Sequence, residues 1–480
     1  MSLLLTLLAL GDPVNPDLAD LTARWQGAME DLGVPAFAMA LVEDGAVVHR
    51  VTLGRRDPAR AAPVTKDTLF YIASATKPYV AFALLQLAEQ EKVDLDGLVK
   101  RYLPRFHVKD ERLSATITVR DLLCHRYGLN SVPIVLLDAY TGEITEDRYY
   151  HFLAEVESPG RTDYSNVHFT LAGRVIEAVS GESWRDYLAQ HVFGPVGMTR
   201  TSGYADWMFA QDDVAVPAVV GVEGPEPTPL RKSDRTMHAA GGLGTSIDDF
   251  ARWIRLQLGR GTIDGQRLVS ADVLTASWDL LAKASGGDEF GPTEGFAHGW
   301  QRGNYRGHLE LRHGGGYVGA ASYACFLPDL GLGLVVLATG GAGAGAMCQL
   351  VSSDVHERLL ADDEIEDLLP GLVERLRAER RREMARPAPH PPLELSRPLA
   401  DYAGTFTHEW FGTLTIALEG EALVGRLGEL PGAFRTRALD DVVFESTGPV
   451  NGAVRFQGAA GAIDAVEFDL LGPERFQRTR

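Results

Sequence analysis

Cysteine is scarce in this chain of 480 residues, and its scarcity excludes two kinds of architecture. The three cysteines, Cys124, Cys325 and Cys348, lie far apart, and three thiols cannot all pair with one another. They show neither a C-x-x-C motif nor the cysteine and histidine spacing that is typical of zinc ligands. The sequence therefore indicates neither a disulfide framework nor a metal site.

Long apolar runs are also missing. No stretch reaches the roughly 18 uninterrupted apolar residues that a membrane-spanning helix needs, and glycines interrupt the most hydrophobic segment, Leu330–Leu337, which we interpret as a buried strand. The start of the chain, Met1–Leu10, lacks the basic segment and the small-residue cleavage site of a secretory signal. We therefore expect no membrane association and a cytoplasmic location, or a periplasmic or secreted one if a signal has been removed.

Basic residues are outnumbered, which gives a formal net charge of -19. Such a charge repels phosphate backbones, and the one dense basic run, Arg375–Arg386, is interleaved with glutamates. Nucleic acid is thereby disfavoured as a partner, and a small-molecule or peptide substrate is expected, with the oligomeric state left open. Hydrophobic residues make up 45% of the chain, which is enough for a sizeable buried core.

The pattern of apolar residues predicts helices packed around an antiparallel sheet. A helix over Asp17–Leu32 precedes a hairpin around Asp44-Gly45, and the middle of the chain is mainly helical. The predicted strands are Ala36–Val42, Val47–Leu53, Leu309–His313, Val318–Leu327 and Leu332–Ala338, and the predicted middle helices include Val167–Val179, Trp184–His191 and Phe250–Leu258. The later strands are expected to join the hairpin, which gives an α/β (α+β) fold.

The last part of the chain predicts a second, smaller domain. A helical tract over Glu364–Ala385 is followed by the proline-rich run Arg386–Pro392, which favours an extended spacer. Beyond it, short strands are expected between turns at Glu419-Gly420, Gly428, Pro431-Gly432 and Gly452. They fit a small antiparallel barrel or sandwich, and we expect a lipocalin-like β-barrel. The predicted division is a catalytic domain over residues 1–386, a linker over 387–395 and a barrel over 396–480.

One motif brings a nucleophile and a base together. In Ser74-Ala75-Thr76-Lys77 a hydroxyl and an amine are three residues apart, so a helix places them on the same face. A serine nucleophile needs a neighbouring base, and a lysine kept neutral by burial can serve. The motif alone also fits an exposed polar pair, but apolar Leu69–Ala73 precedes it, Pro78 suits a first helical turn, and an amphipathic helix follows.

The resemblance to a known family becomes specific when three motifs are taken together. Ser74–Lys77, Tyr164-Ser165-Asn166 and His313-Gly314-Gly315 occur in the order and wide spacing of the penicillin-recognising serine hydrolases. That family holds class C β-lactamases, D-alanyl-D-alanine peptidases, D-aminopeptidases and related esterases, and the similarity extends from about Gly33 to Ala338. It implies a sheet flanked by helices, an all-helical region, and no cofactor or metal.

The resemblance also implies roles for residues of this chain. Ser74 would be acylated, Lys77 would act with Tyr164 as a proton shuttle, and Asn166 would bind the substrate amide or Lys77. His313 and Gly315 would lie on the strand that lines the pocket. The backbone N–H groups of Ser74 and Gly316 would form an oxyanion hole, which stabilises charge on the attacked carbonyl oxygen.

Departures from the family pattern bear on the substrate. Class C β-lactamases have a lysine at the position of His313. We expect the His313 side chain to be only partly charged at neutral pH, so efficient β-lactam hydrolysis is disfavoured. D-alanyl-D-alanine carboxypeptidases usually carry a hydroxyl residue in place of Gly316. An amide or peptide substrate of the D-aminopeptidase or DD-peptidase kind is expected, with a carboxylesterase and a weak β-lactamase as alternatives.

Two other interpretations come from single features. Gly341–Ala346 follows an apolar strand like a dinucleotide-binding loop, but no acidic ribose ligand follows at the expected distance, so we interpret it as a packed strand-to-helix turn. His125 belongs to a cationic helix end that we interpret as structural. A non-catalytic binding or scaffold protein that retains the fold is the alternative of another class, although Ser74, Lys77 and Tyr164 are all present.

Overall fold

A computed structural model describes residues 15–221, 224–284, 286–288, 290–360, 367–384, 395–438, 441–458 and 463–479. The chain start, Met1–Leu10, and residues 387–394 of the predicted linker lie outside these ranges. In the part of the chain that is described, no helix combines the length and the apolar character needed to cross a membrane.

The predicted antiparallel sheet is confirmed, and in the described residues it has eight strands, of which the sequence predicted five. They are β1 (Ala36–Glu43), β2 (Ala46–Gly54), β3 (Ala282–Lys283), β4 (Gly295–Phe296), β5 (Gln301–Tyr305), β6 (His308–Tyr317), β7 (Ala320–Leu327) and β8 (Leu332–Thr339). Their order is β3-β4-β5-β6-β7-β8-β1-β2, so the first hairpin and the late strands meet where β1 pairs with β8. Asp44 and Gly45 both have positive φ, which suits the tight turn between β1 and β2.

Among the described residues, seven helices have eight or more residues. They are α1 (Leu21–Leu32), α2 (Lys77–Glu89), α3 (Glu146–Ala154), α4 (Asn166–Ser180), α5 (Ile247–Leu258), α6 (Ala342–Leu360) and α7 (Leu369–Met384). Shorter helical segments are Pro16–Leu18, Ala73–Thr76, Val99–Tyr102, Glu111–Thr116, Val119–Leu123, Val132–Leu136, Leu137–Thr141, Trp184–Leu188, Ala189–Phe193, Gly194–Val196, Ala205–Phe209, Ala271–Ala276 and Leu399–Tyr402. Leu137–Thr141 and Ala189–Phe193 are π-helical.

Both faces of the sheet are covered, and the alternation of side chains along β1 shows how. Ala36, Ala38, Ala40 and Val42 face the core shared with α2, α4 and α5, whereas Phe37, Met39 and Leu41 face the core shared with α1, α6 and α7. Burial on both faces explains why β1 is an uninterrupted apolar run. Small antiparallel strands lie outside the sheet: Phe70–Tyr71 and Thr201–Ser202 with Gly244–Thr245, Ala218–Val220 with Pro225–Pro227, Thr262–Ile263 with Gln266–Arg267, and Gly287–Asp288 with Gly291–Pro292.

The C-terminal strands close into a barrel, as predicted. They are β9 (Gly404–His408), β10 (Gly412–Glu419), β11 (Ala422–Leu427), β12 (Leu430–Ala438), β13 (Asp441–Ser446), β14 (Asn451–Gln457), β15 (Ala465–Asp469) and β16 (Pro473–Arg478). Each strand pairs with the next, and β16 pairs back with β9. Alternate residues such as Leu414, Ile416 and Phe444 fill the interior.

Two of the predicted barrel turns are wrong. Pro431-Gly432 lies within β12 and Gly452 within β14. At Gly432 a β-carbon would come 2.5 Å from the Phe444 ring, and at Gly452 it would come 2.0 Å from the Asp469 carbonyl oxygen. These glycines give room to a neighbouring ring or backbone instead of reversing the chain, which is a usual role for glycine inside a strand. The turns at Gly420 and Gly428 are confirmed.

The barrel packs against the preceding part of the chain through aromatic side chains. His151 of α3 stacks on Trp410 with ring centroids 3.6 Å apart, and Phe152 contacts Phe411. The Arg148 guanidinium donates a hydrogen bond of 2.8 Å to the Glu409 carbonyl oxygen. The barrel is therefore held against α3 and the segment that precedes it.

Candidate active site

Ser74 lies in the one-turn helix Ala73–Thr76, which follows the short strand Phe70–Tyr71 and leads directly into α2. Ala73 has a φ of 46°, which is a left-handed conformation that non-glycine residues rarely adopt. Such strained backbone is concentrated at functional sites, where the surrounding structure enforces it. The turn passes close to β6, because a β-carbon on Gly315 would lie 2.1 Å from the Ile72 carbonyl oxygen.

Lys77 is fully buried, and its Nζ atom has three oxygen neighbours. These are Ser74 Oγ at 3.0 Å, Asn166 Oδ1 at 2.8 Å and the Ala240 carbonyl oxygen at 2.7 Å. The two carbonyl-type oxygens only accept, so they occupy two N–H groups. In a neutral amine the third tetrahedral position is a lone pair, and here it faces the Ser74 hydroxyl. This is the geometry that a general base requires.

Burial also favours the form of Lys77 that can act as a base. Removal from water lowers the pKa of Lys77 well below the ordinary value for lysine. The ammonium group gains some attraction from the Tyr164 ring, whose centroid lies 4.7 Å from Nζ, but desolvation dominates. Lys77 is thus neutral at a lower pH than an exposed lysine would be.

Tyr164 lines the same cleft as Ser74. Burial raises the pKa of the Tyr164 phenol, and the nearby Ser74 hydroxyl opposes that rise only in part. The side chain therefore keeps its hydroxyl proton at neutral pH. A neutral phenol can accept a proton on its oxygen while it donates its own, so it suits a relay between the nucleophile and a leaving group.

Asn166 is the first residue of α4, and Ser165 rather than Asn166 caps the helix, because the Ser165 hydroxyl accepts from the His168 N–H. The Asn166 side chain is thereby available to Lys77, which it contacts at 2.8 Å. Asn166 was expected to bind either the substrate amide or Lys77. The structure places it in contact with Lys77.

His313 lies on β6 with its ring 6.1 Å from the Tyr164 ring. Its Nδ1 atom is 2.7 Å from the Gly314 carbonyl oxygen, which can only accept, so Nδ1 carries a proton. Burial and the neighbouring Lys77 lower the pKa of His313 to about 3. The expectation of a partly charged ring is therefore corrected to a neutral one, whose Nε2 atom is buried without a hydrogen-bond partner.

A cleft of about 530 Å³ opens at Ser74 and is lined by Tyr164, His313 and the three glycines Gly314–Gly316. Among the described residues, His313–Tyr317 pair with β7 alone, since the pairing of β5 with β6 ends at Arg312. The far edge of this segment is thus open to a ligand backbone. A β-carbon on Gly316 would meet nothing within 4 Å, so the sheet face at this residue is also open.

Two residues contribute to the site in roles that were not assigned from the sequence. The first is the Ala240 carbonyl group, which accepts from Lys77 and belongs to the backbone, so a pattern of side chains does not predict it. The second is His125, whose ring packs 4.6 Å from the Tyr164 ring and whose Nδ1 accepts from the Ser165 N–H at 3.1 Å. His125 supports Tyr164 from behind, which agrees with its interpretation as structural while giving it a place beside the site.

A different buried cluster, Glu310, Cys325 and His356, holds potential metal ligands within 4.8 Å of one another. The Glu310 carboxylate, however, accepts from Arg312 at 2.6 Å on one oxygen and from Tyr323 at 3.3 Å on the other. Burial also raises the pKa of the Cys325 thiol, which disfavours the thiolate that binds a metal. The cluster is better described as a buried ion pair than as a metal site.

Comparisons with known proteins agree with this geometry. Residues 21–350 match the sequence profile of the Beta-lactamase family, and residues 386–478 match a domain of unknown function, DUF3471. Penicillin-binding protein 4 of Amycolatopsis lactamdurans is 28% identical over 340 residues, which are 68% of this chain and 88% of that protein. Unguisins hydrolase ungD' of Aspergillus campestris is 26% identical over 438 residues, which are 86% of this chain and 79% of that protein.

Solved structures share the fold. An octameric penicillin-binding protein homologue from Pyrococcus abyssi superposes with a TM-score of 0.62 at 22% identity, over 96% of this chain and 100% of that one. A D-amino acid amidase from Ochrobactrum anthropi SV3, complexed with L-phenylalanine amide, gives a TM-score of 0.58 at 22% identity, over 75% of this chain and 100% of that one. The first of these likenesses includes the region of the barrel.

Proposed function

The chain belongs to the Beta-lactamase family, and we propose that it is a serine hydrolase that forms an acyl-enzyme on Ser74. One observation carries the proposal. The buried Lys77 amine uses two N–H groups on Asn166 and Ala240, and so directs its third position at Ser74 Oγ, 3.0 Å away. A non-catalytic scaffold would have no need for a buried lysine held in this way.

In the proposed reaction Ser74 Oγ attacks the substrate carbonyl carbon while Lys77 takes the hydroxyl proton. The backbone N–H groups of Ser74 and Gly316 stabilise the oxyanion that forms. Tyr164 then passes a proton from Lys77 to the leaving group, which departs as the free amine or alcohol. Water repeats the sequence on the acyl-enzyme, with Lys77 again as the base, and releases the acid and Ser74.

We further propose an amide or peptide substrate that bears no carboxylate next to the scissile bond. A neutral His313 lacks the charge that would hold such a carboxylate, and the described residues that line the cleft include no lysine or arginine. Asp288, which also lines the cleft, is paired with Arg312 at 3.2 Å, so its charge is largely offset. A substrate of the D-aminopeptidase kind meets these conditions, and the named activity of the Ochrobactrum amidase is of the same class.

The division into domains is proposed as the sequence indicates it. Residues 1–386 would form the catalytic domain, 387–395 the linker and 396–480 the barrel. The two matched profiles, over residues 21–350 and 386–478, support a division of this kind.

The test compares D-alanine p-nitroanilide with p-nitrophenyl acetate, using the intact protein and Ser74→Ala. We expect both substrates to be cleaved and both activities to be lost in the variant, with mass spectrometry of the ester reaction showing an acetyl group on the peptide that contains Ser74. Cleavage of the ester alone would indicate a carboxylesterase. Absence of any Ser74-dependent turnover or acylation would contradict the proposal and favour a binding or scaffold protein.

A further inference from the structure

Four side chains form a cluster between the active-site cleft and the barrel, and we call this cluster the tyrosine–lysine junction: Tyr71, Tyr140, Lys232 and Tyr317. The Lys232 Nζ atom lies 3.9 Å from the centroid of the Tyr317 ring and 5.3 Å from that of Tyr71. Tyr140 stacks on Tyr317 at 5.2 Å, and Tyr71 meets Tyr317 edge to face at 5.4 Å. Tyr317 is thus enclosed by the other three members.

One backbone group anchors the junction. The Tyr317 hydroxyl and the Lys232 ammonium both donate to the carbonyl oxygen of Ala139, at 3.0 Å and 2.8 Å. Ala139 lies in the π-helical turn Leu137–Thr141. Turns of this type are rare and occur frequently at functional sites. The position of this turn therefore determines where the Tyr317 side chain is held.

The junction reaches both halves of the catalytic centre. Tyr317 directly follows Gly316 on β6 and lines the cleft at Ser74. The Tyr71 hydroxyl donates to the Gly241 carbonyl oxygen, next to Ala240, whose own carbonyl oxygen binds Lys77. A shift of the junction would move the strand edge beside Ser74 and also the loop that orients the base.

The barrel contacts the same π-helical turn through Glu429, which lies between β11 and β12. The Glu429 N–H donates to the Thr141 carbonyl oxygen at 2.8 Å, and the Glu429 carboxylate accepts from the Ser233 hydroxyl. Arg235 lies 3.6 Å from the same carboxylate and donates to the Gly142 carbonyl oxygen at 2.6 Å. Glu429 thereby ties the barrel to the C-terminal end of the π-helical turn and to Ser233, which adjoins Lys232.

A second barrel loop supports the junction from the side. Gly448 packs so closely on Tyr140 that a β-carbon there would lie 3.1 Å from the ring. Tyr140 in turn stacks on Tyr317. Two separate barrel loops thus converge on one active-site tyrosine.

We propose that the barrel positions the active site through the tyrosine–lysine junction, with Glu429 and Tyr317 as positioning residues. The inference rests on the proposed function for its kinetic readout but not for its structural one. Small displacements of reacting groups lower rates strongly, so loss of the Glu429 contacts should lower kcat by about tenfold to a hundredfold and change KM less. Neither residue takes part in proton transfer.

The experiment compares Glu429→Ala, Glu429→Gln and Tyr317→Phe with the intact protein, and uses Glu467→Gln as a matched control, since Glu467 pairs with Arg455 on the barrel. Hydrogen exchange by mass spectrometry follows peptides that contain residues 137–143, 239–243 and 313–320, and p-nitrophenyl acetate hydrolysis gives kcat and KM. We expect Glu429→Ala to speed exchange in all three segments and to lower kcat. Glu429→Gln, whose amide oxygen can still accept from Ser233, should keep exchange slow and retain most of kcat. Tyr317→Phe should speed exchange in residues 313–320.

Unchanged exchange at 313–320 in Glu429→Ala would overturn the inference, as would an equal loss of kcat in Glu467→Gln, which would indicate a general effect of barrel stability. If the intact protein shows no Ser74-dependent turnover, the proposed function fails. The exchange measurements still decide whether the barrel holds β6 and the loop at Ala240 in place, because they do not depend on turnover.

Discussion

The Nζ atom of Lys77 lies 3.0 Å from Ser74 Oγ, and the two atoms are in direct contact. Both remaining N–H directions of the amine are bound by neutral oxygens, those of Asn166 and Ala240. A carboxylate in either place would stabilise the ammonium form and remove the base. The neutrality of these two partners is therefore as important for catalysis as their distance from Lys77.

Asn166→Asp tests whether Lys77 needs neutral partners to act as a base. The substitution keeps the size of the side chain but places a carboxylate 2.8 Å from Lys77, which raises the pKa of the amine. The rising limb of kcat/KM against pH for p-nitrophenyl acetate should move to higher pH by about one unit or more. Asn304→Asp, at an exposed position on β5, serves as the control and should leave the limb in place. An unshifted limb in Asn166→Asp would mean that Lys77 is not the group that titrates.

The site residues that the sequence predicts belong to short motifs, in which the residues are close together along the chain. Ser74 and Lys77 are three residues apart at the start of a helix, so helical geometry alone brings them together. His313 and the glycines after it were expected on a strand that lines the pocket, and this expectation came from the family resemblance. The Ala240 carbonyl could not be predicted, because it reaches Lys77 across 163 residues of chain and belongs to the backbone.

The fold shows the same distinction between local and long-range causes. The hairpin of β1 and β2 follows from two apolar segments around an Asp-Gly turn, and it was predicted within about one residue at each end. Gly432 was taken for a turn because glycine commonly marks one. Its actual role depends on the Phe444 ring of the neighbouring strand, which a single segment of sequence does not reveal.

Acid should destabilise the fold through histidines that are buried in the neutral form. Burial lowers the pKa of both His168 and His313 to about 3, whereas the unfolded chain binds these protons near the ordinary value. Between about pH 6.5 and about pH 3 the unfolded state therefore binds more protons than the folded state does. The free energy of unfolding falls as the pH is lowered through this range. At pH 5 each histidine should account for about 2 kcal/mol of lost unfolding free energy.

Urea unfolding at pH 7.5 and pH 5 measures this loss. His168→Gln should reduce the difference between the two conditions by about 2 kcal/mol, because its side chain no longer takes up a proton in the unfolded state. His107→Gln is the control, since the His107 side chain is 41% exposed. A pH dependence that is the same in His168→Gln as in the intact protein would show that this histidine does not contribute.

The last prediction compares a glycine of the third motif with a glycine away from the cleft. A β-carbon on Gly315 would lie 2.1 Å from the Ile72 carbonyl oxygen and 3.1 Å from the Ala75 nitrogen, so Gly315→Ala must push β6 away from the turn that carries Ser74. A β-carbon on Gly27, in α1, would meet nothing within 4 Å. Because displacement of reacting groups by about 1 Å can lower a rate a hundredfold, Gly315→Ala should lower acylation of Ser74 by about that factor, while Gly27→Ala should stay within about threefold of the intact protein. Stopped-flow measurement of the p-nitrophenyl acetate burst gives the acylation rates, and thermal unfolding identifies any loss of the fold. Equal rates in the two variants would mean that the close approach of β6 to the Ser74 turn does not control acylation.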